Sequence, residues 1–533
     1  MKAKNNDNYN SSLIVIFIFV AILLLVLWGI KNTEVALFLI EHPVLILPYV
    51  LEKLVDKFGY FQLFMVTFIL TFIAIFLLFK PKDLLGKHNK NVLRGAKVIS
   101  NHKLKAILNR QSKATERKER KKTQLPQLEI GGIPIPNDYE NLGFFTFGSP
   151  GTGKSQAISQ MIATLRERSD FRGIIFDRSG EMLEKFYDPT KDVIFNPFDV
   201  RSVAWSHVGE AARPETMAAA LIPRESEKEP FFSNAGRVVM AELFRQTGSN
   251  QELWSLLKSD TKKINSFIAK TLAARYTGEE RSAASVLSTV SNYCQFYPYL
   301  TNPQNKTISF FDWARTDHPG WIFITLEEND SELLKPLHSL IFELMLKGLL
   351  SNKYRKMKTA IIIDELGALN QLSSLHRLMS ESRKFGGCPI LGTQTQAQLT
   401  KIYGREDTAT ILQGTQTKLI LKSVDHETAS LMADIIGKQE IKSITENYSR
   451  SRRGGRNGNG RTDGFNEQYR EVYAVMPDEI KRLSKLTGYL YIDEYCAPVK
   501  LKARNFPPRA RSFVPLTNHK PQSIQEQWRD WSE

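Results

Sequence analysis

The sequence predicts an α/β fold: a domain built on a largely parallel sheet, interrupted by an all-helical insertion and preceded by two N-terminal transmembrane helices. Three observations predict the folded part. The apolar segment GFFTF runs into a glycine-rich turn and leaves it as an amphipathic helix between positions 143 and 168. The uninterrupted apolar run TAIII at 359–363 is followed directly by two acids, as expected of a central parallel strand buried on both faces. Between about Trp205 and Phe296 strand patterns give way to helical periodicity.

Composition bounds the rest. The chain has 533 residues, 42% hydrophobic and 24% charged, enough for two or three domains at roughly 100–200 residues each, and neither a small disulfide scaffold nor a disordered chain. Cys294, Cys388 and Cys496 are scattered, without a C-x-x-C or Cys/His spacing, so no disulfide framework or zinc site is expected and the bulk of the chain fits a reducing compartment. The net charge is +16, of which twelve units fall between Lys80 and Lys122, where fifteen Lys and Arg meet three acids.

Leu13–Ile30 holds eighteen residues without a charge, about 27 Å as a helix and close to the thickness of a bilayer's hydrocarbon; residues 60–79 form a second such stretch. No small-residue cleavage site follows the first, which argues against a signal peptide. The dense positive charge after Lys80 places both termini, and the domain that follows, on the cytoplasmic side. The apolar loop 35–51 carries Glu41, His42, Pro43 and Pro48 and reads as a short external or interfacial helix. The basic run to Lys122 completes a membrane anchor and juxtamembrane linker over 1–122; it serves equally as a stop signal or as a surface for anionic headgroups or a nucleic-acid backbone.

After short strands and turns in LPQLEIGGIPIP comes GSPGTGKS: Gly148, Ser149, Pro150, Gly151, Thr152, Gly153, Lys154 and Ser155. This satisfies G-x-x-x-x-G-K-[ST] at every fixed position and in the right strand-to-helix context. Glycines let successive backbone N–H groups curl around phosphate oxygens at a helix N-terminus, where the helix dipole favours negative charge. Lys154 is expected to reach the β and γ phosphates of ATP and Ser155 to ligate Mg²⁺. Asp364 is the second expected Mg²⁺ partner, through the metal's water shell, and Glu365 is expected to polarise the lytic water. The next strand, CPILGTQ, ends on Gln394, a candidate γ-phosphate sensor. Arg383, in the last turn of the helix before it, is a candidate arginine finger acting in trans, although cations there also suit the helix dipole; Arg405 is a weaker rival.

GIIFD, DVIFNPFD and GWIFITL continue the strand pattern. The expected organisation is an α/β domain over 123–204 and 301–515, a helical insertion over 205–300, and a tail over 516–533. Ser449–Gly464, rich in Gly, Arg and Asn, is expected to be a disordered loop that is either a solvated insertion or a nucleic-acid contact. GYLYIDEYCAPVKLKA reads as a closing hairpin, and the polar, Pro-containing tail from about Pro507 as loosely held.

Two spans, a basic linker, GGIPIP before GSPGTGKS, a helical insertion, IIIDE and a strand ending in TQ together resemble the type IV coupling proteins of bacterial conjugation and type IV secretion, the TraD/TrwB-like family. The similarity covers nearly the whole chain and is greatest over Ile130–Trp205, where EKFY, NPFD, Arg201 and Trp205 also match. The resemblance implies a RecA-like P-loop NTPase domain and an inner-membrane protein assembling as a homohexamer. It implies an ATP hydrolase that couples the relaxase and its relaxosome to the channel components of a type IV secretion system and pumps single-stranded DNA. F-type members carry a long acidic C-terminal extension, which is not expected here, so the chain is expected to stand nearer the short members. Two rivals remain: a membrane receptor or scaffold for secreted proteins that uses ATP for assembly, and a double-strand DNA translocase of the chromosome-partitioning type.

Overall fold

Parallel strands buried on both faces organise the protein. The computed structural model describes residues 92–119, 125–223, 230–300, 306–452 and 459–516. Ten strands form one sheet, in the spatial order β2 (Lys97–Val98), β15 (Tyr495–Lys500), β14 (Thr487–Ile492), β11 (Thr417–Ile420), β5 (Phe144–Phe147), β10 (Gly387–Thr393), β9 (Lys358–Ile363), β6 (Phe171–Asp177), β8 (Trp321–Thr325) and β7 (Val193–Phe195). From β11 to β7 every neighbouring pair is parallel; β14 and β15 add an antiparallel hairpin at one side. Alternate side chains divide between two apolar layers. Phe144, Ile175, Phe323, Ile362 and Ile390 pack with Ile158, Met161, Ile162 and Leu165 of helix Lys154–Arg166. Phe176 turns the other way and meets Phe342 of helix Ser331–Leu349 edge-on, ring centroids 5.8 Å apart.

Between β7 and β8 the described residues hold helices and no strand, from Pro214–Leu221 to Glu280–Tyr293. Local chemistry sets their starts: Ser249 and Asp260 each accept a hydrogen bond from a backbone N–H three residues on. The two stems of this insertion meet where Ala204 bridges Thr307. Glu210, buried there, accepts from Trp205 Nε1 at 3.0 Å and from the amides of Phe310 and Phe311 at 3.1 and 2.9 Å. β3 (Glu129–Ile130) and β4 (Ile133–Pro134) form a small hairpin of their own.

Two expectations are corrected. Ser449–Gly464 does not form a loop throughout: β12 (Lys438–Arg452) and β13 (Asn459–Tyr473) pair antiparallel from Lys438↔Tyr473 to Arg452↔Asn459, and β1 (Val92–Gly95) adds a third strand beside β12. This sheet shows cross-strand charge pairing rather than apolar alternation: Lys442 lies 2.7 Å from Glu467, and Arg94 2.7 Å from Glu440. Composition alone therefore hides it. The described part of the tail, residues 507–516, is likewise not loose. The amides of Arg509 and Ala510 donate to the Glu184 carbonyl at 2.7 and 3.2 Å, Val200 N donates to Val514 O at 2.9 Å, and Leu516 N donates to Phe198 O at 3.0 Å. These partners are distant in sequence, which is why local composition does not announce them.

The expected spans 13–30 and 60–79 and the segment 35–51 lie outside the described residues. Among the described residues no helix is long and apolar enough to cross a membrane.

Candidate active site

The glycine-rich turn is built at the C-terminal ends of the parallel strands. Gly148 N donates to Thr393 O at 3.3 Å and Ser149 N to Lys422 O at 2.9 Å, so the turn hangs from the ends of β10 and β11, which flank β5. Thr152 closes it by donating its hydroxyl to Ser149 O at 2.7 Å. Gly153, the residue before helix Lys154–Arg166, has φ 119°, and a Cβ there would lie 2.7 Å from a Leu486 methyl. Only glycine meets both conditions.

β9 lies two strands from β5, with β10 between them, and delivers the two acids to the same place. The Lys154 ammonium donates to the Asp364 backbone carbonyl at 2.8 Å and to Glu365 Oε2 at 3.1 Å, and stands 3.7 Å from Asp364 Oδ1. Ser155 Oγ donates to Asp364 Oδ2 at 3.3 Å. Lys154 and Glu365 are 8% and 5% exposed, so their pairing is screened little by solvent. Asp364 Oδ1 is shielded from solvent and makes no hydrogen bond. A hydroxyl and a carboxylate whose shielded Oδ1 accepts no hydrogen bond are the hard oxygen donors that fit Mg²⁺.

Gly392, on the intervening β10, was not singled out from sequence, yet the convergence depends on it. A Cβ at this position would sit 2.3 Å from Asp364 O and 3.2 Å from Lys154 Cδ. Two supports of the segment after Glu365 were missed as well. Glu343, buried on helix Ser331–Leu349, accepts from the hydroxyls of Ser373 and Ser374 at 2.5 and 2.6 Å and from Ser374 N at 3.1 Å. The Tyr403 hydroxyl accepts from Leu372 N at 3.4 Å. Asp177, at the end of β6, accepts from the amides of Met182 and Leu183 at 2.7 and 2.8 Å. Its burial pushes the carboxyl up to about 6, against the pull of those amides and with the nearby negative charge of Asp364 adding to the rise.

The other expected residues fall in different places. Gln394 directly follows β10 and is half-buried at the strand ends where the turn and the acids meet. Arg383 is exposed in the last turn of helix Leu375–Phe385, which feeds the N-terminal end of β10. The seven residues of β10, about 20 Å of strand, separate that end from the Lys154 cluster. Arg405 is exposed and follows Gly404, where helix Gln396–Gln413 breaks with φ 76°. Neither arginine joins the Lys154 cluster of its own chain.

A phosphate-cradling turn at the end of one parallel strand, with its lysine and serine held against paired acids two strands away, defines a P-loop nucleotide-binding domain. Residues 127–503 match the family described as the type IV secretion-system coupling protein DNA-binding domain, and the chain belongs to that family. It is 31% identical over 408 residues to the coupling protein TraD of Escherichia coli (strain K12), a match that takes in 73% of this chain and 56% of TraD. It thus spans little more than half of that relative. Among solved structures, the bacterial conjugative coupling protein TrwBdeltaN70 in an unbound form aligns with TM-score 0.68 at 26% identity, covering 81% of this chain and 98% of that one. TrwB in complex with ADP and Mg²⁺ aligns with TM-score 0.67 at 25% identity, and TrwB with the non-hydrolysable ATP analogue ADPNP with 0.68 at 26%; each covers 81% of this chain and 99% of its own.

Proposed function

We propose that the protein is an inner-membrane, DNA-dependent ATPase that couples a relaxosome to a type IV secretion channel and moves single-stranded DNA with ATP. The observation that carries this reading is the convergence of Lys154 and Ser155 with Asp364 and Glu365, in a chain of the coupling-protein family. The nucleotide complexes of TrwB support the cofactor assignment.

Each residue has a role that follows from its place. The backbone amides of Gly148–Ser155 hold the phosphate oxygens. Lys154, hydrogen-bonded to Glu365 at 3.1 Å, is placed to hold the β and γ phosphates, and Glu365 beside it to orient the attacking water. Ser155 and Asp364 would hold Mg²⁺, directly or through its waters, and the ion when bound would supply charge neutralisation at the phosphates. Gln394 senses the γ phosphate from the end of β10. Arg383 stands at the far end of β10 from its own site, so its action as a finger requires the site of a neighbouring copy, in a homohexamer. Residues 13–30 and 60–79 anchor the chain in the inner membrane, with both termini cytoplasmic.

The test is the ATPase rate of the full chain in detergent, with and without single-stranded DNA, for the unaltered protein, Lys154→Ala and Glu365→Gln. Stimulation by DNA, lost in both variants, is expected. A cell that still transfers DNA with Glu365→Gln would show that hydrolysis is not the driving step and favour a scaffold.

A further inference from the structure

The segment after β15 crosses the protein as a strap whose backbone does the holding. Gln160 Nε2 donates to Lys502 O at 2.8 Å, and Arg504 N donates to Gln156 Oε1 at 3.2 Å, both on the helix that begins at Lys154. Beyond it, Arg509 N and Ala510 N bind Glu184 O, Arg201 Nη1 donates to Arg511 O at 2.8 Å, and Val514 N and O bind Asp199 and Val200. Phe506 inserts its ring against Phe186, centroids 5.2 Å apart.

The strap's own cationic side chains form none of these hydrogen bonds. Lys502, Arg504, Arg509 and Arg511 are all exposed, and among the described residues none forms an ion pair; Arg504 lies over the Phe506 ring. From Tyr495 to Leu516 there is no acid. Lys502 and Arg504 are two residues apart, as are Arg509 and Arg511, a spacing of roughly 6–7 Å in extended chain. An ordered backbone carrying unpaired, uninterrupted positive charge attracts a polyanion. A track moulded to the side of a domain suits a flexible strand better than a duplex, whose persistence length is about 150 base pairs.

We propose that Lys502, Arg504, Arg509 and Arg511 form a track for the phosphate backbone of single-stranded nucleic acid. All but Lys502 lie beyond the stretch that matches the family. The ligand class rests on the single-strand reading above; the track itself rests on the strap's geometry. Recognition is electrostatic and reads no sequence.

The experiment measures binding of a fluorescent oligothymidylate to the full chain in detergent across a series of salt concentrations, for the unaltered protein and for K502Q/R504Q/R509Q/R511Q. The expected result is a plot of log affinity against log salt that is shallower by about 2.8, roughly 0.7 for each lost phosphate contact, with a melting temperature changed little because these side chains form no hydrogen bond or ion pair among the described residues. The charge-preserving K502R/R504K/R509K/R511K is expected to keep the original slope. Equal slopes for the unaltered and glutamine proteins would overturn the track, as would loss of binding in the charge-preserving variant. Equal slopes together with lost binding to phosphatidylglycerol vesicles would assign the strap to a lipid surface instead. An unaltered protein that binds no oligothymidylate would overturn the single-strand reading as well.

Discussion

Lys154 and Glu365, 211 positions apart, are joined by a hydrogen-bonded ion pair of 3.1 Å in which both side chains are almost wholly buried. The lysine of the glycine-rich turn thus stands on the second of the two acids that follow β9.

Lys154→Ala is therefore expected to destabilise the protein as well as to weaken nucleotide binding, because Glu365 is left buried without its cation, a change that typically costs about 3–5 kcal/mol. Thermal unfolding of the full chain without nucleotide checks this. Lys154→Met combined with Glu365→Gln should recover most of the loss; a double variant no more stable than Lys154→Ala would show that the pair is not what holds this region.

Gly392→Ala forces a methyl carbon onto the Asp364 carbonyl, with backbone rather than a flexible side chain in the way. Overpacking of this kind costs about 1–3 kcal/mol, and the displaced carbonyl is one of Lys154's acceptors. Calorimetric titration with ADP and Mg²⁺ should show at least a tenfold loss of affinity. Unchanged affinity would mean that β9 shifts freely.

Glu343→Ala should release the segment after Glu365 from helix Ser331–Leu349 by removing three hydrogen bonds. Steady-state ATPase assays are expected to show kcat reduced about tenfold with KM for ATP changed little, since phosphate binding lies elsewhere. Glu343→Gln, which keeps an acceptor oxygen, should restore part of the rate. A fall in kcat equal for both variants would point to the charge, and to its pair with Lys347, instead.

Two buried groups oppose each other in pH dependence. Asp177 has a folded pKa raised to about 6, so its contribution to stability is full below about pH 4 and is lost as pH rises towards 6. Asp177→Asn keeps an acceptor for Met182 and Leu183 and should gain stability relative to the unaltered protein over that rise, by up to about 3 kcal/mol. His338, buried among Phe176 and Phe195 with neither ring nitrogen hydrogen-bonded, has its pKa lowered to about 3. Its neutral form is at ease above about pH 6.5, and stability is lost as pH falls from there, so His338→Met should help most at pH 4–5. Melting temperatures from pH 4 to 8 separate the two, because the signs differ.

How much was legible depended on range. Strands such as β6 and β9 declare themselves because a strand buried on both faces must be apolar throughout, and GSPGTGKS because the curl of its backbone around phosphate restricts each fixed position. The β12–β13 hairpin was illegible because cross-strand charges join its strands, and Gly392 because a lone glycine in an apolar strand shows no sign of what approaches it. Nothing near Glu343 in the helix marks the serines it binds, which lie 30 and 31 positions on.

By itself the sequence determined which residues could serve a nucleotide, since phosphate, metal and water each demand a chemical type at a set local spacing. Only the tertiary structure decided that β10 stands between β5 and β9, that Lys154 closes on Glu365, that Arg383 stands far from its own site, and that the strap is held by its backbone while its cations stay exposed. Those relationships join residues up to hundreds of positions apart, and the order in which strands pack depends on the burial of the whole chain, which no local window of residues carries.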